Sequence, residues 1–218
     1  MRSGATVQHP EPVIEFVRRA RERLLAVAPA VGDAALPPSG DHVLAPELAD
    51  IVRSSPSLPA AVLVPVIARE APTILLTQRS AALPVHAGQI SFPGGKLDAA
   101  DPDPLATALR EAEEEIGLDA GFVDPLGYLD PYLSGTGFRI VPVVALISPA
   151  FRLALNPAEV DEAFEVPLKF LMTPDNHARH SREWKGVQRS FYAMPYGERY
   201  IWGITAGILR KLYERLYG

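Results

Sequence analysis

Apolar runs of strand length, separated by helical segments, constrain the fold of this chain more than any other feature. Residues 59–68, 72–80 and 139–147 are rich in Val, Ile and Leu, which is typical of strands, and a short acidic turn joins the first two into a predicted hairpin. Helical periodicity marks residues 103–117 and 198–217. Because these elements interleave without a strict βαβ repeat, we predict an α+β fold with a mixed β-sheet between helices.

The remaining segments extend this prediction. Residues 11–29 carry apolar side chains at helical spacing and predict an N-terminal helix. The following stretch to residue 57 is rich in Pro, Ala and Ser and is typical of a loop that wraps the domain. Residues 86–97 predict a short strand that ends in a Pro-Gly-Gly turn. We therefore expect residues 1–57 to be a helix and wrapping extension, part of the same unit as the main domain at 58–218.

The helix at residues 103–117 has recognisable signals at both ends. Asp103 can cap its start, Pro104 fits its first turn, and Gly117 can end it. One face of this helix is apolar and is expected to pack on the core. That face consists of Leu105, Ala108, Leu109, Ala112 and Ile116.

The last turns of this helix crowd four glutamates into the five positions 111–115. Each helical residue advances by about 100°, so Glu114 and Glu115 flank Glu111 on one narrow face, and Glu113 points away. Like charges at this spacing destabilise a helix, and the helix dipole disfavours anions near its C terminus. A hard divalent cation such as Mg²⁺ would relieve the repulsion. The alternative is a solvated acidic face.

Composition and charge exclude several other functions. The chain has 218 residues and no cysteine, so disulfides, thiolate metal sites and cysteine nucleophiles are ruled out. Its net charge is −5 and no basic tract stands out, which argues against a nucleic-acid partner. The N terminus lacks the apolar core of a signal peptide, and no apolar run is long enough to cross a membrane. We therefore expect a cytoplasmic location.

The glutamate turn belongs to a longer pattern. Gly95, the pair Arg110-Glu111, the pair Glu114-Glu115 and Gly117 resemble the Nudix box, G-x5-E-x7-R-E-U-x-E-E-x-G-U, in which U is apolar. Fourteen residues separate Gly95 from Arg110, one more than in the pattern. Asp101 stands at the position of the first glutamate of the box, which is therefore missing as such.

An upstream segment resembles one branch of the same family. Residues 75–95, LLTQRSAALPVHAGQISFPGG, are similar to the coenzyme A pyrophosphatase signature L-L-T-x-R-S-x3-R-x3-G-x3-F-P-G-G. Pro84 replaces the second arginine of that signature, which weakens the expectation of coenzyme A as the substrate. The resemblance extends over about residues 57–215.

The resemblance implies an α/β/α sandwich and a metal-dependent hydrolase of diphosphates. We assign Glu111, Glu114 and Glu115 as ligands of Mg²⁺ or Mn²⁺, with the Gly95 carbonyl as a further ligand. Glu111, Glu114 and Arg110 form the catalytic set. In that set Glu111 can instead be the base that activates water, and Arg110 is expected to hold a carboxylate in position.

Other side chains are candidates for the base and for substrate contacts. Glu159 and Glu162 in a distal loop are alternative bases, although a solvated loop acid explains each of them as well. The substrate-binding candidates are Arg79, whose planar charge suits a phosphate, with Ser80 and His86 as weaker ones. For these three the alternatives are a surface ion pair, a turn and a solvated histidine. Aromatic candidates for stacking on adenine are Trp184 and Tyr192.

Three functions follow for comparison. The first is hydrolysis of coenzyme A or its derivatives to 3',5'-adenosine bisphosphate and 4'-phosphopantetheine or its acyl form. The second keeps the chemistry but changes the substrate to ADP-ribose, a dinucleotide or a nucleoside triphosphate. The third is a non-catalytic nucleotide-binding regulatory module, which the retained glutamates disfavour. We expect a small nucleotide-type partner and no nucleic acid or membrane; a homodimer is left open.

Overall fold

The fold is seen in a computed structural model that describes residues 9–30, 37, 39–44, 46, 57–184 and 187–218, with the backbone alone at 184 and 187–189. Its helices are α1 (Glu11–Arg23), α2 (Asp41–Leu44), α3 (Pro104–Ile116), α4 (Leu168–Leu171) and α5 (Ile204–Leu216), with short 3-10 turns at Ala120–Phe122 and Pro174–Asn176. Its strands are β1 (Ser39–Gly40), β2 (Leu58–Ile67), β3 (Thr73–Arg79), β4 (Ile90–Ser91), β5 (Gly94–Lys96), β6 (Val123–Tyr128), β7 (Tyr132–Leu133), β8 (Phe138–Ile147), β9 (Val160–Pro167), β10 (Ala178–Trp184), β11 (Val187–Tyr196) and β12 (Arg199–Trp202).

The main sheet is mixed, as predicted. Strand β2 pairs in parallel with β8 along its whole length, and on its other side it pairs antiparallel with β3 and β5. Strand β3 also pairs antiparallel with β4 and β9. The predicted hairpin of β2 and β3 forms through two residue pairs only, because β5 pairs with the first half of β2 on that side and β3 continues beside β4 and β9.

Helices cover both faces of this sheet, which confirms the α/β/α sandwich. Alternate side chains of a strand point to opposite faces, so Leu63 packs with Ala112 and Ile116 of α3. Val64 belongs to the other core, which includes Phe16 of α1 as well as residues of α5. The two apolar clusters hold the sheet between α3 on one side and α1 with α5 on the other.

Two predicted helices are shorter than expected. Helix α1 ends at Arg23, not at residue 29, because the backbone becomes extended and Leu25 bridges to Tyr128. The C-terminal helix starts at Ile204, because Arg199–Trp202 pairs with β11 as a strand and Gly203 turns the chain at a φ of 65°. In the first case a strand partner far along the chain, Tyr128, overrides the local helical pattern. In the second case the neighbouring strand β11 overrides it by forming a short hairpin.

The glycine-rich segment also differs from its prediction. Residues 94–96 form strand β5, paired with β2, where the sequence predicted a turn. At Gly94 the φ is 151°, and a Cβ would lie 2.4 Å from the Ala61 carbonyl oxygen. Glycine therefore lets this strand lie directly against β2, which brings Gly95 under helix α3.

A second sheet of three antiparallel strands, β10 to β12, packs against α5 through residues such as Met194 and Ile201. Most of the predicted wrapping loop at 30–57, like residues 1–8, lies outside the described residues. Among the helices of the described part, none combines the length and the apolar character needed to cross a membrane.

Candidate metal and diphosphate site

Helix α3 is held at both ends, and this fixes the position of its glutamates. At the start, the Asp103 carboxylate accepts a hydrogen bond from the Ala106 amide at 2.8 Å. At the end, Gly117 adopts a left-handed φ of 67°, and its amide donates to the carbonyls of Ala112 and Glu113. The predicted caps are thus formed, and the last turn of α3 stands over strand β5.

The last turn of α3, residues 111–115, is called the acidic turn below. Glu115 is its buried member, with 3% of its surface exposed. Its carboxylate accepts one long hydrogen bond, 3.3 Å from the Gly94 amide, and lies 3.9 Å from the Arg79 guanidinium. Burial raises the pKa of this carboxyl to about 7; the Gly94 bond and Arg79 oppose the rise, while Glu111 and Glu159 add to it. The negative charge of Glu115 is therefore poorly compensated by the protein.

Glu111 lies one turn before Glu115 and presses against the backbone of β5. A Cβ at position 95 would stand 2.5 Å from the Glu111 carboxylate, so a side chain there would displace this carboxylate from the β5 backbone. Burial also raises the pKa of Glu111, an effect that Arg110 opposes and that Glu114 and Glu159 strengthen. Two carboxylates with raised pKa values thus meet beside the Gly95 backbone.

Glu114 does not join this pair. Its side chain is 52% exposed and forms an ion pair with Arg110 at 3.0 Å. Over the described ranges, no three Asp, Glu or His side chains come close enough together to hold a metal ion as they stand. The structure therefore offers Glu111, Glu115 and the Gly95 backbone to a cation, and bringing in Glu114 requires breaking its ion pair.

Arg110 is the centre of a network that orders this turn. Its Nε and Nη2 atoms donate to both oxygens of Asp101, at 3.1 and 3.0 Å. Its Nη1 atom donates to Glu111 at 2.9 Å and to Glu114 at 3.0 Å. Such a bidentate arginine pair has a fixed geometry, so Arg110 ties the loop before the helix to the Glu111 carboxylate.

Asp101 is a site residue whose position in the pattern was noted but whose role was not predicted. Besides Arg110, it accepts hydrogen bonds from the Thr107 hydroxyl at 2.8 Å and from the Asp98 amide at 3.0 Å. The Arg110 guanidinium is the main cause that holds the pKa of Asp101 well below its usual range. Its distance from Gly95, which matches the first glutamate of the box, was the available signal.

Arg79, at the end of β3, points its guanidinium towards Glu115 in the last turn of α3. Its Nη1 atom lies 3.9 Å from Glu115 Oε1, and its buried Nε has no hydrogen-bond partner within the described part of the molecule. A guanidinium with an unused donor beside two carboxylates suits an anion that arrives together with a cation. The structure therefore brings Arg79 to the acidic turn.

The other two substrate-binding candidates lie farther along the same loop. Ser80 is buried; its amide donates to the Glu159 carbonyl at 2.8 Å, and its hydroxyl accepts from the Ala82 amide at 3.4 Å. These contacts describe a turn. His86 is exposed, and its Nδ1 lies 3.0 Å from Gln89 Oε1.

The two candidate bases are in different environments. Glu162 is paired through both oxygens with Arg199, at 2.8 and 2.6 Å, and Arg199 also lies over the Phe164 ring. Glu159 is close enough to raise the pKa of both Glu111 and Glu115. The turn that carries Glu159 is bonded to the end of α3, since the Asn156 amide donates to the Glu115 carbonyl at 2.9 Å. The geometry favours Glu159.

The aromatic candidates find no support in the site. Tyr192 packs against the core under the Arg210 guanidinium, on the side of the second sheet that faces α5. The side chain of Trp184 lies outside the described residues.

Comparisons with known proteins agree on one family. A family model described as NUDIX domain matches residues 57–185. A protein named "Uncharacterized Nudix hydrolase NudL" from Photorhabdus laumondii is 43% identical over 157 residues, which cover 72% of this chain and 84% of that protein. A protein of the same name from Yersinia enterocolitica is 41% identical over 72% of this chain and 80% of its own length.

A solved structure of DR0079 from Deinococcus radiodurans is also similar. It is 12% identical, with a TM-score of 0.47, and the match covers 73% of this chain and 86% of that one.

Proposed function

Because this chain belongs to the Nudix hydrolase family and is therefore a pyrophosphohydrolase, we propose that it cleaves the diphosphate of coenzyme A or its derivatives. Water adds across the P–O–P bridge, giving 3',5'-adenosine bisphosphate and 4'-phosphopantetheine or its acyl form. One observation carries the proposal: Arg79 meets the buried Glu115 at 3.9 Å with an unused Nε donor. Glu111 completes this group, which suits a diphosphate bound with a cation.

The choice of coenzyme A rests on residues 75–95, the segment that resembles the coenzyme A pyrophosphatase signature. In the fold this segment covers β3, β4 and the start of β5, and thus includes both Arg79 and Gly95. The part of the chain that resembles the signature therefore lines the acidic turn. This position supports a role of the segment in substrate selection.

Nudix enzymes generally use divalent metal ions, and we propose Mg²⁺ or Mn²⁺ here. Glu111, Glu115 and the Gly95 carbonyl would hold the ion, and Glu114 would join only by giving up its pair with Arg110. The donors fit a hard cation because all of them are oxygens. A bound cation would also favour the ionised form of both carboxyls and so oppose the burial that raises their pKa values. When bound, such an ion neutralises diphosphate charge and makes a coordinated water more acidic.

The side chains of the protein divide the remaining work. Arg79 binds a phosphate oxygen of the scissile diphosphate and would hold the diphosphate beside the cation that Glu111 and Glu115 would bind. Glu159 accepts the proton of the attacking water, while the bond from phosphorus to the bridging oxygen breaks and that oxygen leaves on the second phosphate. Asp101 and Arg110 hold Glu111 in place without touching the substrate. Glu111 remains the alternative base.

A second substrate class is favoured by one specific observation. Pro84 stands where the coenzyme A signature has its second arginine, so this chain lacks one cation in the segment that lines the site. ADP-ribose, dinucleotides and nucleoside triphosphates carry the same diphosphate without the 3'-phosphate of coenzyme A. They are therefore the competing substrates.

The test is a substrate panel with product identification. The purified protein is incubated with coenzyme A, ADP-ribose, NADH and deoxynucleoside triphosphates in Mg²⁺, in Mn²⁺ and in EDTA, and products are identified by mass spectrometry. We expect adenosine bisphosphate and phosphopantetheine from coenzyme A, no turnover in EDTA, and one heavy phosphate oxygen when the reaction runs in ¹⁸O-water. Faster cleavage of another substrate with intact coenzyme A would overturn the assignment.

A further inference from the structure

The outer strand of the second sheet, β10, has an open edge. The strands of this sheet lie in the order β10, β11, β12, and β10 pairs with β11 along its whole length. On its other side, β10 has no strand partner among the residues that the structure describes. Residues 179–183 are all exposed, so side chains on both faces of the strand lie in water. A seven-residue strand with such an edge is an available template for another strand.

The rest of the sheet holds this edge in place. Strand β10 is joined to β11 by seven residue pairs. Across β11, the Tyr200 hydroxyl of β12 lies 2.7 Å from His180 Nδ1 on β10. The His180 ring also contacts the Phe191 ring of β11 edge-on, with 6.1 Å between the ring centroids. Because β10 is already ordered, a partner strand would bind it at a small cost in conformational entropy.

The charges along β10 suit pairing of this strand with itself. Arg179, Ser181 and Glu183 lie on one face of the strand, because successive side chains alternate between faces. When two copies pair antiparallel about a twofold axis at Ser181, Arg179 of each copy lies opposite Glu183 of the other. A shift by one residue in one direction would oppose Arg179 to Arg182, and a shift in the other direction would lose both ion pairs. Opposite charges directly across an antiparallel pair stabilise it, and like charges destabilise it.

We propose that the protein forms a homodimer through its β10 strands, which pair antiparallel about a twofold axis at Ser181 and join the two second sheets into one sheet. The partner is a second copy of this chain, because a twofold contact requires a self-complementary edge and β10 supplies both charges of each ion pair. Main-chain hydrogen bonds between the two edges provide the affinity, and the two pairs of Arg179 with Glu183 fix the register. This inference concerns assembly and does not depend on the substrate.

Analytical ultracentrifugation of a dilution series tests the dimer. We expect the wild-type protein to form a dimer that dissociates on dilution. Arg179→Glu or Glu183→Arg should raise the dissociation constant of the dimer by about tenfold or more, because each change turns two attractive pairs into two repulsive ones. The double variant, which carries both changes, should recover most of this loss, since it restores the two pairs with their signs exchanged. The matched control is Arg21→Glu on α1, another exposed arginine, which should keep the wild-type dissociation constant.

A wild-type protein that stays monomeric at every concentration would overturn the inference. So would a dimer whose dissociation constant is unchanged by both single substitutions, or is raised equally by Arg21→Glu. A double variant that associates no better than the single variants would also overturn it. Amide hydrogen exchange gives an independent readout: residues 178–184 should exchange more slowly in the concentrated dimer than in the diluted monomer. Equal exchange rates in the two states would place the interface elsewhere and overturn the pairing of β10.

Discussion

Two glutamates near the main sheet, Glu115 and Glu165, differ in how well the surrounding protein compensates their negative charge. Glu165 on β9 receives hydrogen bonds from Arg69, at 2.7 and 2.5 Å, and from the Thr73 hydroxyl at 2.5 Å. Its pKa is lowered, chiefly by Arg69. Glu115 is more deeply buried, has one hydrogen bond of 3.3 Å, and has a raised pKa.

The difference indicates which carboxylate serves stability and which serves function. A carboxylate whose oxygens are all hydrogen-bonded contributes to folding, whereas a buried and poorly compensated one is unfavourable unless another ligand completes it. Arg69 and Arg79 differ in the same way: one forms close bonds to its partner, and the other stands 3.9 Å away with an unused donor. Glu115 and Arg79 therefore have capacity left for a ligand.

The largest expected effect is on turnover. Glu115→Gln or Glu111→Gln should lower kcat by about 10³-fold or more, because each removes a carboxylate from the proposed cation site. The matched control, Glu165→Gln, should keep kcat near the wild-type value. Steady-state kinetics with the substrate identified by the panel measures both. The comparison breaks if Glu165→Gln lowers kcat as strongly as the variants of the acidic turn.

The two arginines give the next largest contrast. Arg79→Ala should lower kcat/KM by about 10²-fold, since it removes a charge-assisted bond to phosphate. Arg69→Ala should leave kcat/KM unchanged. Measuring kcat/KM of Arg79→Ala with both coenzyme A and dephospho-coenzyme A sharpens the assignment. An equal loss of kcat/KM for the two substrates places Arg79 at the diphosphate. A loss confined to coenzyme A places it at the 3'-phosphate instead.

Asp101 is expected to have a smaller effect. Asp101→Asn should lower kcat by about tenfold with little change in KM, because Arg110 loses its bidentate partner and Glu111 its fixed position. Asp101→Glu should recover part of the loss if the carboxylate charge is what matters. The affinity for Mn²⁺, followed by paramagnetic relaxation, should weaken in parallel. A rise in KM alone would argue against positioning.

The smallest effect is on stability, and its sign is opposite for the two glutamates. Burial raises the folded-state pKa of Glu115 from 4.5 to about 7, so the folded protein binds the extra proton in this window and stability falls as the pH rises through it. In EDTA at pH 8, Glu115→Gln should therefore raise the free energy of unfolding by about 1–2 kcal/mol, and the gain should shrink towards pH 5.

Glu165 should behave in the reverse manner. Its lowered pKa contributes stability above the usual value of 4.5, and this contribution is lost as the pH falls below it. Glu165→Gln should lower the free energy of unfolding by about 1 kcal/mol at pH 8 and by less under acid conditions. Urea unfolding at several pH values measures both variants. A change of the same sign in the free energy of unfolding of Glu115→Gln and Glu165→Gln would contradict the comparison.

Local signals predicted helix α3 well, and strand pairing limited the predictions elsewhere. Asp103, Pro104 and Gly117 mark the helix ends through contacts within a few residues, so the sequence suffices there. The strand Arg199–Trp202 was predicted as helix, because its apolar residues fit helical spacing, and its pairing with Ala193–Tyr196 of β11 in a short hairpin overrides that pattern. The fold class was correct, since apolar periodicity alone determines which faces must be buried.

The candidate site was predicted less completely. Helical spacing puts Glu114 and Glu115 on one face with Glu111, but it does not tell which of them turns inward. The position of β5 decides this, because Gly94 bonds Glu115 while Arg110 holds Glu114 in solvent. The partner of Arg110, Asp101, lies nine residues away across a loop, beyond the reach of helical spacing.

The sequence by itself determined the family, the mixed sheet between helices and the crowding of carboxylates at the end of α3, because these depend on residue types at short and regular spacing. Only the tertiary structure decided that Glu115 is buried without adequate partners and that Arg79 faces it. The physical reason is that burial and electrostatic compensation depend on which distant segments pack together, and local periodicity carries no information about that packing.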